Sequence, residues 1–161
     1  MSKHLKISNG IAYSIEDYSD ALIEEVWSTL EEHRVELSKY EDMKLNPNNK
    51  VYLALQEAGM VKIITAREIA TGKIVGYACY IIQPNLHYCD FLYANQDLFY
   101  VTQEKRGSRI AVNLLKISES VLKECNVSII AQHAKLTNKF GKLLELSGYN
   151  LAEKIYHKRI D

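Results

Sequence analysis

The sequence predicts a mixed α+β fold around one sheet, and three observations carry that expectation. Apolar residues recur at helical spacing in some stretches and in continuous, strand-like runs in others. The two kinds of stretch interleave in the order β-α-α-β-β-β-α-β-α-β, a mixed α/β arrangement in which helices alternate with an antiparallel meander. Short turn signals such as Asn9-Gly10 and Thr71-Gly72 separate them, and no Pro- or Gly-rich linker divides the chain.

Composition bounds the class. A chain of 161 residues is long enough for one domain with a real core, so a single domain over 1–161 is expected. An apolar fraction of 47% and a charged fraction of 25% are those of a soluble globular protein. Twenty basic and twenty acidic residues cancel, which argues against a dedicated nucleic-acid binder with its basic excess. Cys79, Cys89 and Cys125 show no metal-binding spacing, and two of them sit in apolar surroundings as small core residues. An odd cysteine count without a signal-peptide pattern points to a reducing cytoplasm. No apolar run reaches membrane-spanning length.

The elements follow in order. Leu5 to Ile15 reads as strand with a turn at Asn9-Gly10. Ser19 or Asp20 caps a helix that places Leu22, Ile23, Val26, Trp27 and Leu30 on one face and runs toward Leu37. Glu24, Glu25, Glu31, Glu32 and Glu36 fill its other, solvated face. Pro47 precedes a short helix from Asn48 to Glu57, which Ala58-Gly59 ends. Val61 to Glu68 and Lys73 to Gln83 form two strands around Thr71-Gly72. The run from Ile74 to Ile82 is apolar enough to be buried on both faces, and Gly76 within it marks a bulge or a close backbone approach. A ring-rich loop, Pro84 to Asn95, holds His87, Tyr88, Phe91 and Tyr93. Asp97 to Val101 is the central strand.

Gln103 to Ser108 is a polar turn, and from Ile110 an amphipathic helix carries Ile110, Ala111, Leu114, Leu115, Val121 and Leu122 on one stripe. Val127 to Gln132 is a strand. Thr137 or Asn138 caps a helix with Phe140, Leu143 and Leu144 inward, Gly148 ends it, and Leu151 to Ile160 reads as a last strand.

The central strand, turn and helix carry the first functional signal. A helix that opens from a Gly-containing turn presents free N–H groups and the positive end of its dipole, an anion site for which phosphate is the usual guest. Arg106 and Arg109 add positive charge, and Gly107 permits φ > 0 or a close ligand. The plain alternative is an ordinary strand-to-helix turn.

These residues resemble the GNAT acyltransferase superfamily. Its turn, close to Arg-Gly-x-Gly-(Ile/Val)-Gly, reads here Arg106-Gly107-Ser108-Arg109-Ile110-Ala111. The stretch NKFGKLLELSGY, Asn138 to Tyr149, looks like the family's penultimate helix, and Gly72 to Tyr77 like its hairpin. The likeness spans nearly the whole chain. It is nearest to small bacteriophage and bacterial members, which share a run like Pro84-Asn85-Leu86-His87-Tyr88. The resemblance implies a central mixed, mostly antiparallel sheet flanked by helices. It implies acetyl-CoA as donor and direct transfer to an amine on a small molecule or protein. The neutral charge and the lack of a long apolar run argue against nucleic-acid and membrane partners, and homodimers are common in the family.

The resemblance also implies roles. The turn Arg106 to Ala111 would hold the pyrophosphate, Val101 would offer the carbonyl-polarising N–H, and Asn138 would touch the pantetheine arm. Asp97, early on the central strand, stands at the family's base position. Arg109 and Ala111 replace the usual glycines. Leu144 stands where the family's thiolate-protonating Tyr is frequent, and a Leu cannot donate. His87 and His133 are further candidates because His titrates near neutrality. His87 and Tyr88 would shape the acceptor end, and Tyr88 or Tyr100 could serve the thiolate. Lys135 reads as a solvated side chain. No H-E-x-x-H or Cys/His cluster suggests a metal. Two other readings follow from Leu144, the acidic helix and the ring-rich loop: an acyl-CoA-binding protein without catalysis, and an interaction protein acting on a host macromolecule.

Overall fold

The computed structural model describes residues 3–38, 40, 42–136 and 139–161. The chain opens with two strands, β1 (Lys3–Ser8) and β2 (Ile11–Glu16), then α1 (Asp20–Leu37) and α2 (Asn49–Glu57). Three more strands follow, β3 (Val61–Glu68), β4 (Ile74–Pro84) and β5 (Leu92–Val101). A short 3-10 turn (Gln103–Lys105) leads to α3 (Ile110–Glu124), β6 (Val127–Ala131) and α4 (Phe140–Leu146). The six strands form one sheet in the order β1-β2-β3-β4-β5-β6. Every neighbouring pair is antiparallel except β5 with β6, which α3 joins by a crossover and which is parallel.

Helices cover both faces. α3 and α4 pack on one face, where Leu114, Leu115 and Leu122 meet Tyr13, Ile64, Val75 and Tyr80. α1 covers the other, where Leu22, Val26 and Leu30 meet Ile63, Tyr77, Cys79 and Tyr100. The α1 contacts recur at every fourth residue, one narrow helical stripe. Trp27 falls off that stripe and is exposed, although its neighbours suggested a place on it. Among the cysteines, Cys79 is buried, Cys125 half-buried and Cys89 exposed. No helix among the described residues is long and apolar enough to cross a membrane.

The mixed class and the mostly antiparallel sheet agree with expectation; three boundaries do not. The first predicted strand is a hairpin, because Asn9 and Gly10 both take positive φ (51° and 74°) and reverse the chain. β5 begins at Leu92 rather than Asp97, because residues expected in a loop are paired on both sides, with β4 and with β6. The last strand, Leu151 to Ile160, does not form: the segment is irregular, and Leu151, Tyr156 and Ile160 are exposed. Alternating apolar residues make a strand only where a partner edge takes up their hydrogen bonds.

Gly76 marks a close approach, as its sequence position suggested. A Cβ there would lie 3.1 Å from the Tyr100 carbonyl oxygen and 3.2 Å from Leu114 Cδ1. The missing side chain lets α3 and the end of β5 settle against β4.

Candidate active site

β5 carries the centre of the site. Its pairing with β4 slips by one residue: Cys79 faces Leu98 and Tyr80 faces Gln96, so Asp97 is the extra residue of a β-bulge. The bulge turns the Asp97 side chain out of the ladder, where it is exposed and accepts a 2.5 Å hydrogen bond from the Tyr52 hydroxyl of α2. Burial, then the Asp97 carboxylate, push the Tyr52 phenol well above its ordinary range. The same two causes raise the Cys79 thiol beside it.

The bulge coincides with a division of the sheet. β6 pairs with β5 only from Leu92 to Asn95. The Gln96 side chain then bridges the gap, accepting from the His133 N–H (3.1 Å) and donating to the His133 carbonyl (3.4 Å). From Asp97 to Val101 no described strand covers the outer edge of β5. A cleft opens there along the outer edge of β5, whose Val101 carbonyl at its end is taken up by Arg106.

The turn at the end of β5 closes this cleft. Gly107 has φ +79° with open space where a Cβ would stand. Ser108 Oγ donates to the Lys105 carbonyl (2.6 Å) and accepts weakly from the Ile110 N–H (3.4 Å). The first intrahelical bond of α3 is Asn113 N–H to the Arg109 carbonyl (2.9 Å), so the amides of Ala111 and Val112 precede the helical ladder. Arg109 is exposed at the helix start, while Ile110 is buried and Ala111 half-buried. Those amides, the dipole and the Arg109 cation suit a bound phosphate.

Arg106 is differently engaged. Its guanidinium pairs bidentately with Glu36 of α1 (2.7 and 2.9 Å), donates through Nε to the Val101 carbonyl (3.0 Å) and lies 5.1 Å over the Tyr100 ring. The hydrogen bond to Arg106 holds the Glu36 carboxyl below its ordinary range. Arg106 thus ties the turn to α1. The other face of Tyr100 stacks on His33 (4.6 Å), whose Nδ1 is 2.9 Å from the Tyr77 hydroxyl. Burial pushes His33 down to about 4, so its ring is neutral near pH 7.

The remaining candidates lie elsewhere. His87 and Tyr88 are exposed in the β4–β5 loop, where the Asn85 side chain accepts from both of their amides (2.9 and 3.0 Å). Five strand residues, or about 17 Å, separate the start of β5 from Asp97, so the structure does not bring this pair to it. His133 and Lys135 are exposed beyond β6. Tyr100 is buried beneath the turn, and Leu144 is buried in the α3-face core. Asn138 and Thr137 lie outside the described residues. Among the described residues, no three His, Cys, Asp or Glu side chains gather as a metal site requires.

Sequence reasoning missed Tyr52, Glu36 and His33. Tyr52 and Leu55 face inward from α2 three residues apart, a spacing that marks a shared face but not a partner. Glu36 was expected on the solvated acidic face, where nothing distinguishes it from its neighbours. His33 follows Leu22, Val26 and Leu30 along the buried stripe and could have been found by extending it.

No protein-family profile and no curated protein sequence matches the chain. Solved structures do match it over nearly its whole length. A ribosomal-protein-alanine N-acetyltransferase from Brucella melitensis superposes with a TM-score of 0.69 at 20% identity, over 94% of this chain and 99% of that one. An aminoglycoside acetyltransferase from an uncultured soil metagenomic sample, in complex with sisomicin, gives 0.71 at 14% identity, over 95% and 97%. Glucosamine-6-phosphate N-acetyltransferase from Arabidopsis thaliana gives 0.68 at 13% identity, over 92% and 99%. The chain therefore has the fold of the GNAT N-acetyltransferases.

Proposed function

We propose that this chain is a GNAT-type N-acetyltransferase that moves an acetyl group from acetyl-CoA directly to an amine, on a small molecule or a protein, within a ternary complex. One observation carries the reading: a single strand holds a bulged carboxylate, a free backbone edge and, at its end, an amide-rich turn. The fold neighbours that act on an alanine-bearing protein, an aminoglycoside and a sugar phosphate, by their names, support it.

The residues fit acetyl-CoA, which supplies an acyl group already activated as a thioester. The space beside Gly107 and the amides before Asn113 suit its pyrophosphate. The free edge of β5, ending at Val101, suits an extended amide-bearing arm and offers N–H groups to a carbonyl. Asp97 takes the proton from the acceptor ammonium, directly or through a water, and Tyr52 fixes the carboxylate that does so. Holding acceptor and donor on one strand supplies proximity. Buried Leu144 offers no proton, so the leaving thiolate draws one from elsewhere, such as water.

Calorimetry with acetyl-CoA on the wild type and on Gly107→Glu tests the reading. The variant places a carboxylate where a phosphate would sit. Tight binding by the wild type, lost in the variant, is expected; no binding by the folded wild type overturns the proposal.

A further inference from the structure

A cavity of about 380 Å³ lies between α1, Ser38 and residues 43–47, Tyr52 of α2 and the sheet. Its size is at the lower end of small-ligand pockets. Leu22, Val26 and Leu30 of α1 line it on the helix side, Cys79 and Leu98 on the sheet side, and Tyr52 of α2 is also in its lining. The same Tyr52 holds Asp97 through its hydroxyl. A molecule in the cavity is thus one side chain away from the carboxylate.

Two properties of the walls select what fits. First, their hydroxyls are already used. Tyr77 is held by His33 (2.9 Å), Thr65 by Glu16 (2.5 Å), Tyr18 by Asn49 (2.7 Å) and Tyr52 by Asp97. The remaining polar side chains of the lining, Arg34, Ser38, Lys44 and Asn46, are few against its Leu, Ile, Val and Met residues, so a polyhydroxylated guest would leave most of its hydroxyls against apolar wall. Second, no carboxylate is among the described lining residues, while Lys44 and Arg34 are, the latter paired outside the lining with Glu31 (2.8 Å). A second ammonium group would enter an apolar space beside like charge.

Building on the acetyltransferase reading, we infer that the acceptor is a small primary monoamine with an apolar body and no second cationic centre. The body fills the cavity under α1 and the amine reaches past Tyr52 to Asp97. Sugar amines and polyamines are disfavoured.

Three probes test this: hexylamine, 1,6-diaminohexane of matching chain length, and glucosamine. Binding is measured by calorimetry on the protein alone, and acetyl transfer separately by thiol release. Hexylamine is expected to bind at least tenfold more tightly than either rival, and to be acetylated with at least tenfold higher kcat/KM. Val26→Phe fills the cavity and should cost hexylamine at least tenfold in affinity while Tm is kept. Equal or better binding of the diamine or glucosamine overturns the inference, as does no hexylamine binding at millimolar concentration. The two readings fail separately. Selective hexylamine binding without transfer to any amine sinks the acetyltransferase and upholds the cavity's preference. Transfer to glucosamine and the diamine as readily as to hexylamine does the reverse.

Discussion

The hydroxyl of Tyr52 on α2 donates a 2.5 Å hydrogen bond to Oδ2 of Asp97, the bulged residue of β5. This bond joins α2 to the strand that lines the cleft. It fixes one carboxylate oxygen of the residue proposed above as the base. Hydrogen bonds to charged groups contribute about 1.5–3 kcal/mol. Tyr52→Phe should therefore lower kcat/KM for the acceptor by about 10- to 100-fold. Acetyl-CoA affinity should be unchanged. Asp97→Asn should lower the rate further, again without loss of acetyl-CoA binding. Steady-state kinetics beside calorimetry would check both, and a variant that keeps wild-type kcat/KM would remove Asp97 from the mechanism.

His33 predicts an acid sensitivity. Burial holds its folded pKa near 4, below the ordinary value of about 6.5. The unfolded chain thus binds the extra proton first, and stability falls as pH drops from about 6.5 toward 4. By pH 4.5 the contribution lost is about 2–3 kcal/mol. Urea unfolding at pH 7 and pH 4.5 should show a smaller drop for His33→Phe than for the wild type.

The Glu36–Arg106 pair predicts a different pH window. Glu36 is depressed in the folded state, so its stabilisation is full above its unfolded pKa of about 4.5 and is lost as pH falls through the lower folded value. Both side chains are partly exposed, which limits the pair to about 1 kcal/mol. Glu36→Gln should lower Tm by a few degrees at pH 7, and the gap should narrow as pH falls below about 4.5. Because Arg106 anchors the turn through this pair, acetyl-CoA should also bind Glu36→Gln more weakly than the wild type.

Gly76→Ala predicts a packing defect. The added methyl would press on the Tyr100 carbonyl, 3.1 Å away, and on Leu114. Overpacking of this kind costs about 1–3 kcal/mol. The strand end that would shift leads directly into the turn, so acetyl-CoA affinity should fall together with Cm in urea. An unchanged Cm would show that the strand yields freely.

The hairpin turns were legible because Asn9-Gly10 and Thr71-Gly72 state their backbone demands locally. The helix from Ile110 was legible because one stripe of Leu, Ile and Val serves one face. The bulge at Asp97 was not legible, since a bulge arises from the register of two strands and not from either alone; the residue was singled out through resemblance. Tyr52 and Asp97 stand 45 residues apart, and nothing local in either announces the other. Leu151 to Ile160 looks like a strand in isolation; only the assembled sheet reveals that its alternation meets no partner there. His87 and Tyr88 drew notice as chemically capable side chains, but their loop stands at the far end of β5.

The separation of β5 from β6 bears on how the molecule opens. β6 is held to the sheet along one side only, by a short parallel ladder and the Gln96 bridge. β2, β3 and β4 are each held on both sides. The free energy of local opening is therefore lower beside the cleft than in these interior strands. Amide hydrogens of Val127 to Ala131 should exchange faster than those of Ile74 to Ile82. The rim of the cleft can thus loosen by release of a few backbone bonds while the strand that carries Asp97 stays clamped to β4.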